Sequence, residues 1–332
     1  MLWIEKYRPE KFEDIYGQEE IISHIGGFGR SKNIPHMLLF GPHGTGKTCA
    51  VQSLAKEIYG DYADENLSII QAGILFTQGK TWLENEERFS HLYKKEESLI
   101  NNFKHIVKWY ASMRPFEADF KILAFEEADM LPFAAQAALR RIMEKYSRTC
   151  RFILLTRRSS TIIPAIYSRC LPLFFKPLPN ETIIGIMKDI MKKEEISGDE
   201  IPDDDLDLIA EFSKGDCRKA VTYLQIMATK KDEADIIDLS KSEISSVSAA
   251  LFKSIQAADF AKSKETAEMI MIEYGLSARE VINEISATAR REYNDPRIAL
   301  MLGDADYRLT EAGNEYLQIN ALISNIISEV FN

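Results

Sequence analysis

Residues 37–48 read Met-Leu-Leu-Phe-Gly-Pro-His-Gly-Thr-Gly-Lys-Thr, a short apolar run followed at once by a glycine-rich loop. The spacing G-x-x-x-x-G-K-[ST] is typical of a phosphate-binding loop, because its glycines let backbone N–H groups turn inward around phosphate oxygens. The amphipathic segment 48–59 predicts a helix whose positive N-terminal end faces the same anion. The sequence therefore predicts a nucleoside-triphosphate site behind a buried strand.

The motif gives each residue of this loop a role. Lys47 is expected to reach the β- and γ-phosphates, and Thr48 is expected to hold Mg²⁺. The rest of the loop would bind phosphate through its backbone: Gly41, Pro42, His43, Gly44, Thr45 and Gly46. A chance glycine-rich turn is the alternative, and the flanking strand and helix favour the nucleotide site.

Composition is that of an ordinary globular protein. The 332 residues are 45% hydrophobic and 28% charged, which suits two or three domains. No apolar run approaches the ~18 residues of a membrane span, so we expect a cytoplasmic protein without a membrane partner. The net charge of −10 argues against whole-surface DNA binding and allows only a local basic surface. Scattered cysteines and histidines make disulfides and zinc sites unexpected.

Strand and helix patterns alternate in the first half of the chain. Apolar runs at 37–40, 122–125 and 152–155 predict buried strands, and no strand is predicted after Pro172. This alternation is typical of a parallel α/β sheet that is covered by helices on both faces. We expect a nucleotide-binding domain over 1–174, a small helical lid over 175–231 and an all-α domain over 232–332.

A phosphate-binding loop requires a second, acidic element. Here the run at 122–125 is followed by Glu126-Glu127-Ala128-Asp129. An Asp-Glu pair is usual, in which Asp holds the Mg²⁺ shell and Glu polarises the attacking water. Glu127 keeps the position of the general base, whereas Glu126 is one methylene longer than Asp and is expected to disturb contacts to Mg²⁺. Nucleotide binding should therefore survive better than hydrolysis.

An ordered set of motifs along the chain resembles one family, the small subunits of the replication factor C clamp loader, of the archaeal kind. The motifs are Trp3-Ile4-Glu5-Lys6-Tyr7-Arg8-Pro9, Ile15-Tyr16-Gly17-Gln18, Glu126-Glu127-Ala128-Asp129, residues 136–144, Ser168-Arg169-Cys170, Tyr274-Gly275-Leu276-Ser277 and residues 306–315. The resemblance covers nearly the whole chain except an insertion at about 73–98.

The resemblance implies an AAA+ module, a three-helix lid and a helical collar that assembles a hetero-pentamer. ATP and Mg²⁺ would be bound, with Tyr7, Arg8 and Pro9 beside the adenine. The partners would be the other clamp-loader subunits, the ring-shaped sliding clamp (PCNA) and primer–template DNA.

Two arginines gain roles from the same resemblance. Arg169 would be an arginine finger that reaches the γ-phosphate of the neighbouring subunit, a contact worth roughly 10³ to 10⁵ in rate. Arg218, within Gly215-Asp216-Cys217-Arg218, would be a second sensor that contacts phosphate in cis. The alternatives are an ordinary surface charge for Arg169 and a solvated helix charge for Arg218.

The predicted helix around residues 136–145 carries three basic side chains, Arg140, Arg141 and Lys145. They are candidates for sequence-independent contacts to the DNA backbone. A solvated helix face, with Arg140 paired to Glu144 one turn away, explains them equally well.

Two more positions depart from the family. Arg157 stands where the family has an Asn that positions the attacking water. Because an arginine has donors but no acceptor, it cannot replace that amide, although it could hold phosphate. The insertion contains the aromatic residues Trp82, Phe89 and Tyr93, which indicate that it packs against another surface.

The leading hypothesis is a specialised clamp-loader small subunit that binds ATP, donates Arg169 to a neighbour and hydrolyses its own ATP weakly. Within the enzyme class, a fully active DNA-dependent ATPase is the alternative. A nucleotide-binding scaffold without turnover and another AAA+ DNA-associated remodelling ATPase are the other readings.

Overall fold

The computed structural model describes residues 1–198, 200–229, 243–273, 276–293, 295–310 and 314–331. The chain divides into two compact units, Met1–Lys231 and Asp232–Asn332. The expected border at 231/232 lies outside the described residues, as do Tyr274, Gly275 and residues 311–313 of the family motifs. Within the described ranges, no helix is long and apolar enough to cross a membrane.

A five-stranded parallel sheet forms the centre of the first unit, with the strand order β2-β3-β4-β1-β5. Its strands are β1 Met37–Phe40, β2 Leu67–Gln71, β3 Lys121–Glu126, β4 Cys150–Thr156 and β5 Leu171–Phe174. The three predicted strands are β1, β3 and β4, and the expected parallel α/β sheet is confirmed.

The two edge strands were not predicted, and the prediction that strands end at Pro172 was wrong. β5 runs through Pro172, which is opposite Leu38 of β1. Proline is tolerated there because an edge strand pairs on one side only, so one missing N–H removes no bond from the sheet. β2 contains Ser68 and Gln71, and it therefore lacks the continuous apolar run of the central strands.

Alternate residues of the central strands face two different layers of helices. Leu38 and Leu123 belong to one buried cluster, together with Phe103 and Leu139. Their neighbours Met37, Leu39, Ile122 and Ile153 belong to a second cluster on the opposite face, with Ile25 and Leu54. This alternation is the strand period of two, and it buries both faces of the sheet.

The α-helices of the first unit are α1 Trp3–Lys6, α2 Glu19–Ser31, α3 Lys47–Tyr59, α4 Ala63–Asn66, α5 Ala72–Gln78, α6 Lys80–Asn85, α7 Glu87–Ser90, α8 Leu99–Ser112, α9 Phe133–Tyr146, α10 Pro164–Tyr167, α11 Asn180–Lys193, α12 Asp203–Ser213 and α13 Cys217–Thr229. Short 3-10 turns lie at Phe12–Asp14, Gly60–Tyr62, Ala128–Met130 and Ser159–Thr161.

The insertion at about 73–98 contains three short helices, α5, α6 and α7. Leu83 and Phe89 are fully buried, and Trp82 and Tyr93 pack against the same cluster, which also contains Phe103 of α8. The aromatic residues of the insertion therefore extend the hydrophobic core on one face of the sheet.

Three helices, α11 to α13, pack around a separate cluster that includes Ile183, Met187, Leu206 and Leu224. The N-terminal residues Trp3, Ile4 and Tyr7 pack against this cluster as well. We call the three helices the lid.

The second unit is helical wherever it is described. Its helices are α14 Glu243–Gln256, α15 Phe260–Glu273, α16 Ala278–Glu292, α17 Pro296–Leu309 and α18 Glu315–Ile326, followed by a π-helical turn at Ile327–Phe331. They share one buried cluster that contains Phe252, Ile270, Ile285 and Ile323.

Candidate functional site

A cavity of about 480 Å³ lies in the first unit where β1, β3 and β4 end. Its walls come from the N-terminal segment, the glycine-rich loop, the acidic element after β3, the end of β4 and the lid. In open parallel sheets, ligands bind at the carboxyl ends of the strands, so this is the expected place for a ligand.

The glycine-rich loop leads directly into the 13-residue helix α3, with Gly46 at its N-cap position. Gly44 and Gly46 have φ angles of +64° and +92°, a backbone region that favours glycine. The residues from His43 to Thr48 line the cavity. The positive end of α3 therefore faces the cavity, as a phosphate-binding loop requires.

Lys47 is bonded to its own loop. Its Nζ donates to the carbonyl oxygen of Gly41 at 2.8 Å and to that of Pro42, and it lies 3.4 Å from Thr45 Oγ1. Gly41 and Pro42 are thus in contact with Lys47 rather than in the cavity wall. Burial lowers the pKa of Lys47 to about 8. The carbonyl groups that Lys47 now contacts are neutral, whereas a bound phosphate would place a negative charge beside the amine and favour its charged form.

Thr48 and Glu126 lie together at the N-terminal end of α3, where Thr48 Oγ1 donates to Glu126 Oε1 at 2.5 Å. A hydroxyl and a carboxylate are the hard oxygen donors that Mg²⁺ prefers, so this pair fits the metal. The pairing does not require the shorter Asp side chain, because Glu126 reaches Thr48 as it stands.

Glu127 follows in the left-handed backbone region, with a φ of +50°. Its side chain lines the cavity and also packs on Gly73, the second residue of α5. A Cβ added to Gly73 would lie 1.8 Å from Glu127 Oε2. The first helix of the insertion therefore sets the space that is open to the proposed general base.

Arg157 lines the cavity, and its Nη2 lies 3.6 Å from Asp129 Oδ2. Asp129 also accepts a hydrogen bond from Thr156 Oγ1 at 3.1 Å. The Asp129 side chain is only 4% exposed, whereas that of Arg157 is 52% exposed. Asp129, to which the sequence analysis gave no role, is therefore the buried partner of Arg157. Arg157 is the residue that stands where the family has an Asn.

The lid touches the glycine-rich loop at the start of α13. The backbone N–H of Cys217 donates to the carbonyl oxygen of Gly44 at 3.2 Å. A Cβ added to Gly44 would lie 1.8 Å from Asp216 Oδ1. Arg218 lines the same cavity, so the lid brings a guanidinium to the phosphate loop. The position of Asp216 was not foreseen, although it stands beside Arg218 in the motif.

Tyr7, Arg8 and Pro9 also line the cavity, beside apolar lid residues such as Ile186 and Ile190. The cavity therefore has a polar end at the loop and an apolar wall at the lid and N-terminal segment. Such a division suits a ligand with a charged tail and a flat, largely apolar head.

Besides Gly41 and Pro42, four candidate residues in the described part of the chain are not among those that line the cavity: Arg140, Arg141, Lys145 and Arg169. Arg169 Nη1 donates to the carbonyl oxygen of Ala165 at 2.6 Å, and its Nη2 is bonded to Glu144. Arg140 Nε donates to the same Glu144 oxygen at 3.3 Å. The i,i+4 pair that was the alternative for Arg140 is therefore present, and Arg169 lies apart from the chain's own cavity.

Comparison with known proteins gives matches along nearly the whole chain. The models "DNA polymerase III, delta subunit" and "Replication factor C C-terminal domain" match residues 17–179 and 244–325. The replication factor C small subunit of Archaeoglobus fulgidus is 34% identical over an alignment of 331 positions that covers 97% of this chain and 96% of that protein. The chain belongs to the replication factor C small-subunit family.

Other replication factor C small subunits match to the same extent. That of Methanococcus maripaludis is 34% identical and covers 98% of both chains. Small subunit 1 of Pyrobaculum islandicum is 33% identical and covers 98% of this chain and 94% of its own. The family resemblance predicted from the motifs is thereby confirmed.

Solved structures support the fold of this family member. RuvB of Thermotoga maritima has a TM-score of 0.51 at 16% identity and covers 84% of this chain and 85% of its own. A "DNA replication initiation factor" has a TM-score of 0.54 at 11% identity and covers 97% and 98%. These likenesses concern the fold alone, and they confirm the expected α/β fold with a helical C-terminal region.

Proposed function

We propose that the chain is a small subunit of a cytoplasmic clamp loader, which uses ATP to place a ring-shaped sliding clamp on primer–template DNA. One observation carries the proposal: the phosphate loop, two carboxylates and Arg218 converge on one cavity in a chain that aligns end to end with replication factor C small subunits. The partners would be the other subunits, the clamp and DNA.

Different residues of the cavity would bind different parts of ATP. Lys47 would leave its loop carbonyls for the β- and γ-phosphates, and Arg218 would approach the same phosphates from the lid. Thr48 and Glu126 would hold Mg²⁺, which when bound neutralises charge on the phosphates. The apolar wall of the cavity would receive the nucleoside.

Two contacts support weak hydrolysis by this subunit. Glu127 is packed on Gly73, so its carboxylate cannot turn further towards α5. Arg157 is paired with Asp129 and has no acceptor for a water. Occupancy by ATP, rather than turnover, would then be this site's contribution.

Arg169 would act on a neighbouring subunit, because it lies apart from the chain's own cavity and its guanidinium is partly exposed. Arg141 and Lys145, exposed on α9, would contact the DNA backbone with Arg140. A scaffold that holds ATP without any turnover is the second candidate, and the Arg157–Asp129 pair favours it.

The proposal is tested by reconstitution with the partner subunits of the same cell, the clamp and primer–template DNA. We expect clamp loading to be lost when the chain is omitted and to be strongly reduced by Lys47→Ala, which removes the phosphate ligand. Clamp loading at the full rate without the chain would refute the proposed function. Single-turnover ATP hydrolysis at this site separates weak hydrolysis from the pure scaffold.

ATP affinity should depend on pH through Lys47. Its pKa is about 8 in the free protein, and phosphate would raise it because opposite charge favours the ammonium. Affinity should therefore be nearly constant below pH 8 and fall by up to about tenfold per pH unit above it.

Calorimetry in buffers of different ionisation enthalpy would count the protons taken up on binding at pH 9. Lys47→Arg keeps its charge throughout this range, so its residual binding should show no such proton uptake. Binding by the wild type at pH 9 without proton uptake would contradict the assignment to Lys47.

A further inference from the structure

Glu194, directly after the last residue of α11, joins the lid to the N-terminal segment. Its Oε1 accepts hydrogen bonds from Lys6 Nζ at 2.6 Å and from the Tyr7 hydroxyl at 2.5 Å. The two residues that it binds are separated from it by almost 190 positions in sequence, and Tyr7 lines the cavity.

The surroundings of Tyr7 favour a charged Glu194. Two ammonium groups, of Lys6 and Lys193, lie 5.2 and 5.5 Å from the centroid of the Tyr7 ring. Hydrogen bonds from Lys6 and Tyr7 hold the pKa of Glu194 below its usual range. The carboxylate is therefore ionised at neutral pH, and both of its hydrogen bonds are charge-assisted.

The N-terminal segment follows the lid at one end and reaches the phosphate loop at the other. Trp3 N donates to Gln225 Oε1 on α13 at 2.8 Å, and Trp3 packs on the lid cluster. Further along, Ile15 lies so close to the loop that a Cβ on Gly46 would be 3.0 Å from its Cγ2. The segment between these two points, which contains Tyr7 to Pro9, forms one wall of the cavity.

We propose that Glu194 is a positioning residue for nucleotide binding, which fixes Tyr7 and so shapes the wall that receives the base of ATP. The inference rests on the proposed nucleotide site. Because the phosphates belong at the loop and α3, the base is left with the apolar wall of Tyr7, Pro9 and the lid. Glu194 contacts Tyr7 and Lys6, and it acts on the ligand through Tyr7.

The test compares ATP with inorganic triphosphate, which has the charged tail but no base. Glu194→Ala should weaken ATP binding about tenfold, the equivalent of one hydrogen bond to a charged group. Binding of inorganic triphosphate should stay within twofold of the wild type. Glu195→Ala is the matched control, because Glu195 is the adjacent, exposed carboxylate and its loss removes the same charge.

A second variant keeps the test valid if Glu194→Ala loosens the lid. Tyr7→Phe keeps the ring but removes the hydroxyl, and it should weaken ATP binding about threefold with triphosphate unchanged. The double variant should bind ATP no worse than Glu194→Ala alone, because both changes break the same contact.

Several results would overturn the inference. Equal weakening of ATP and triphosphate would mean that Glu194 only supports the lid, and unchanged ATP binding would mean that it has no role. If the wild-type chain bound neither ligand, the proposed nucleotide site itself would be refuted. If the wild type bound ATP and the variants bound it with the same affinity, only this inference would be refuted.

Discussion

Arg169→Ala should lower ATP turnover at the neighbouring site, which we propose that Arg169 completes, by about 10³-fold in the reconstituted complex. A fixed guanidinium stabilises the charge that develops on the transferred phosphoryl group, and alanine leaves that charge uncompensated. Arg169 is bonded to Glu144 and Ala165, away from its own cavity, so the loss should appear at the neighbour's site. Binding of ATP to the variant chain itself should not change.

The informative comparison is with Glu127→Gln, which removes the proposed general base of the chain's own site. Because that site is expected to hydrolyse weakly, Glu127→Gln should lower the ATPase rate of the complex less than Arg169→Ala does. Arg148→Ala removes an exposed arginine near the end of α9 and serves as the charge control. Steady-state phosphate release in the presence of clamp and DNA gives all three rates. The opposite order of effects would contradict weak hydrolysis in this subunit.

Gly44→Ala should weaken ATP binding by about a hundredfold, although it adds a single methyl group. The φ of +64° strains any L side chain, and the new Cβ would lie 1.8 Å from Asp216 Oδ1 and 3.0 Å from the backbone nitrogen of Arg218. The start of α13 would have to move away from the phosphate loop and take Arg218 with it. Backbone strain and overpacking of 1–3 kcal/mol each account for this magnitude.

A second substitution identifies the cause of the loss. Asp216→Ala in the Gly44→Ala background removes the nearest clashing group and should recover roughly tenfold of the affinity, since the contact with Arg218 N remains. Gly27→Ala is the control, because among the described residues nothing lies within 4 Å of a Cβ at that helical position. Fluorescent-nucleotide titration measures all variants. Wild-type affinity in Gly44→Ala would show that the lid does not close on the loop as observed.

Local patterns predicted the centre of this fold well. The strand β1, the loop and the helix α3 appear within one residue of the prediction, because the apolar run, the glycines and the amphipathic period all act over short distances. The edge strands were not predicted because their strand character depends on their position in the sheet and not on a local pattern. β2 is partly polar and β5 contains a proline, and only their place at the rim of the sheet makes these sequences acceptable as strands.

The partners of the site residues depended on tertiary structure. Sequence motifs indicated Glu127, Arg157 and Arg218. No local pattern indicated that Gly73 would pack against the Glu127 side chain, or that Asp129 would pair with Arg157. Glu194 lies far from Tyr7 in the sequence and belongs to no motif. Such contacts are fixed when separate elements pack, so they become visible only in three dimensions.

The proline in β5 has a consequence for solubility. Leu171 and Phe175 donate their N–H groups inward, to His36 and Phe40, so the intervening residue Pro172 turns its nitrogen to the open rim of the sheet. A strand of another chain that paired with this edge would lack one hydrogen-bond donor, at Pro172, close to the exposed ring of Phe174. Proline at an edge is one way in which proteins prevent indiscriminate strand addition and aggregation. The proline thereby protects this edge of the sheet from pairing with the strands of other chains.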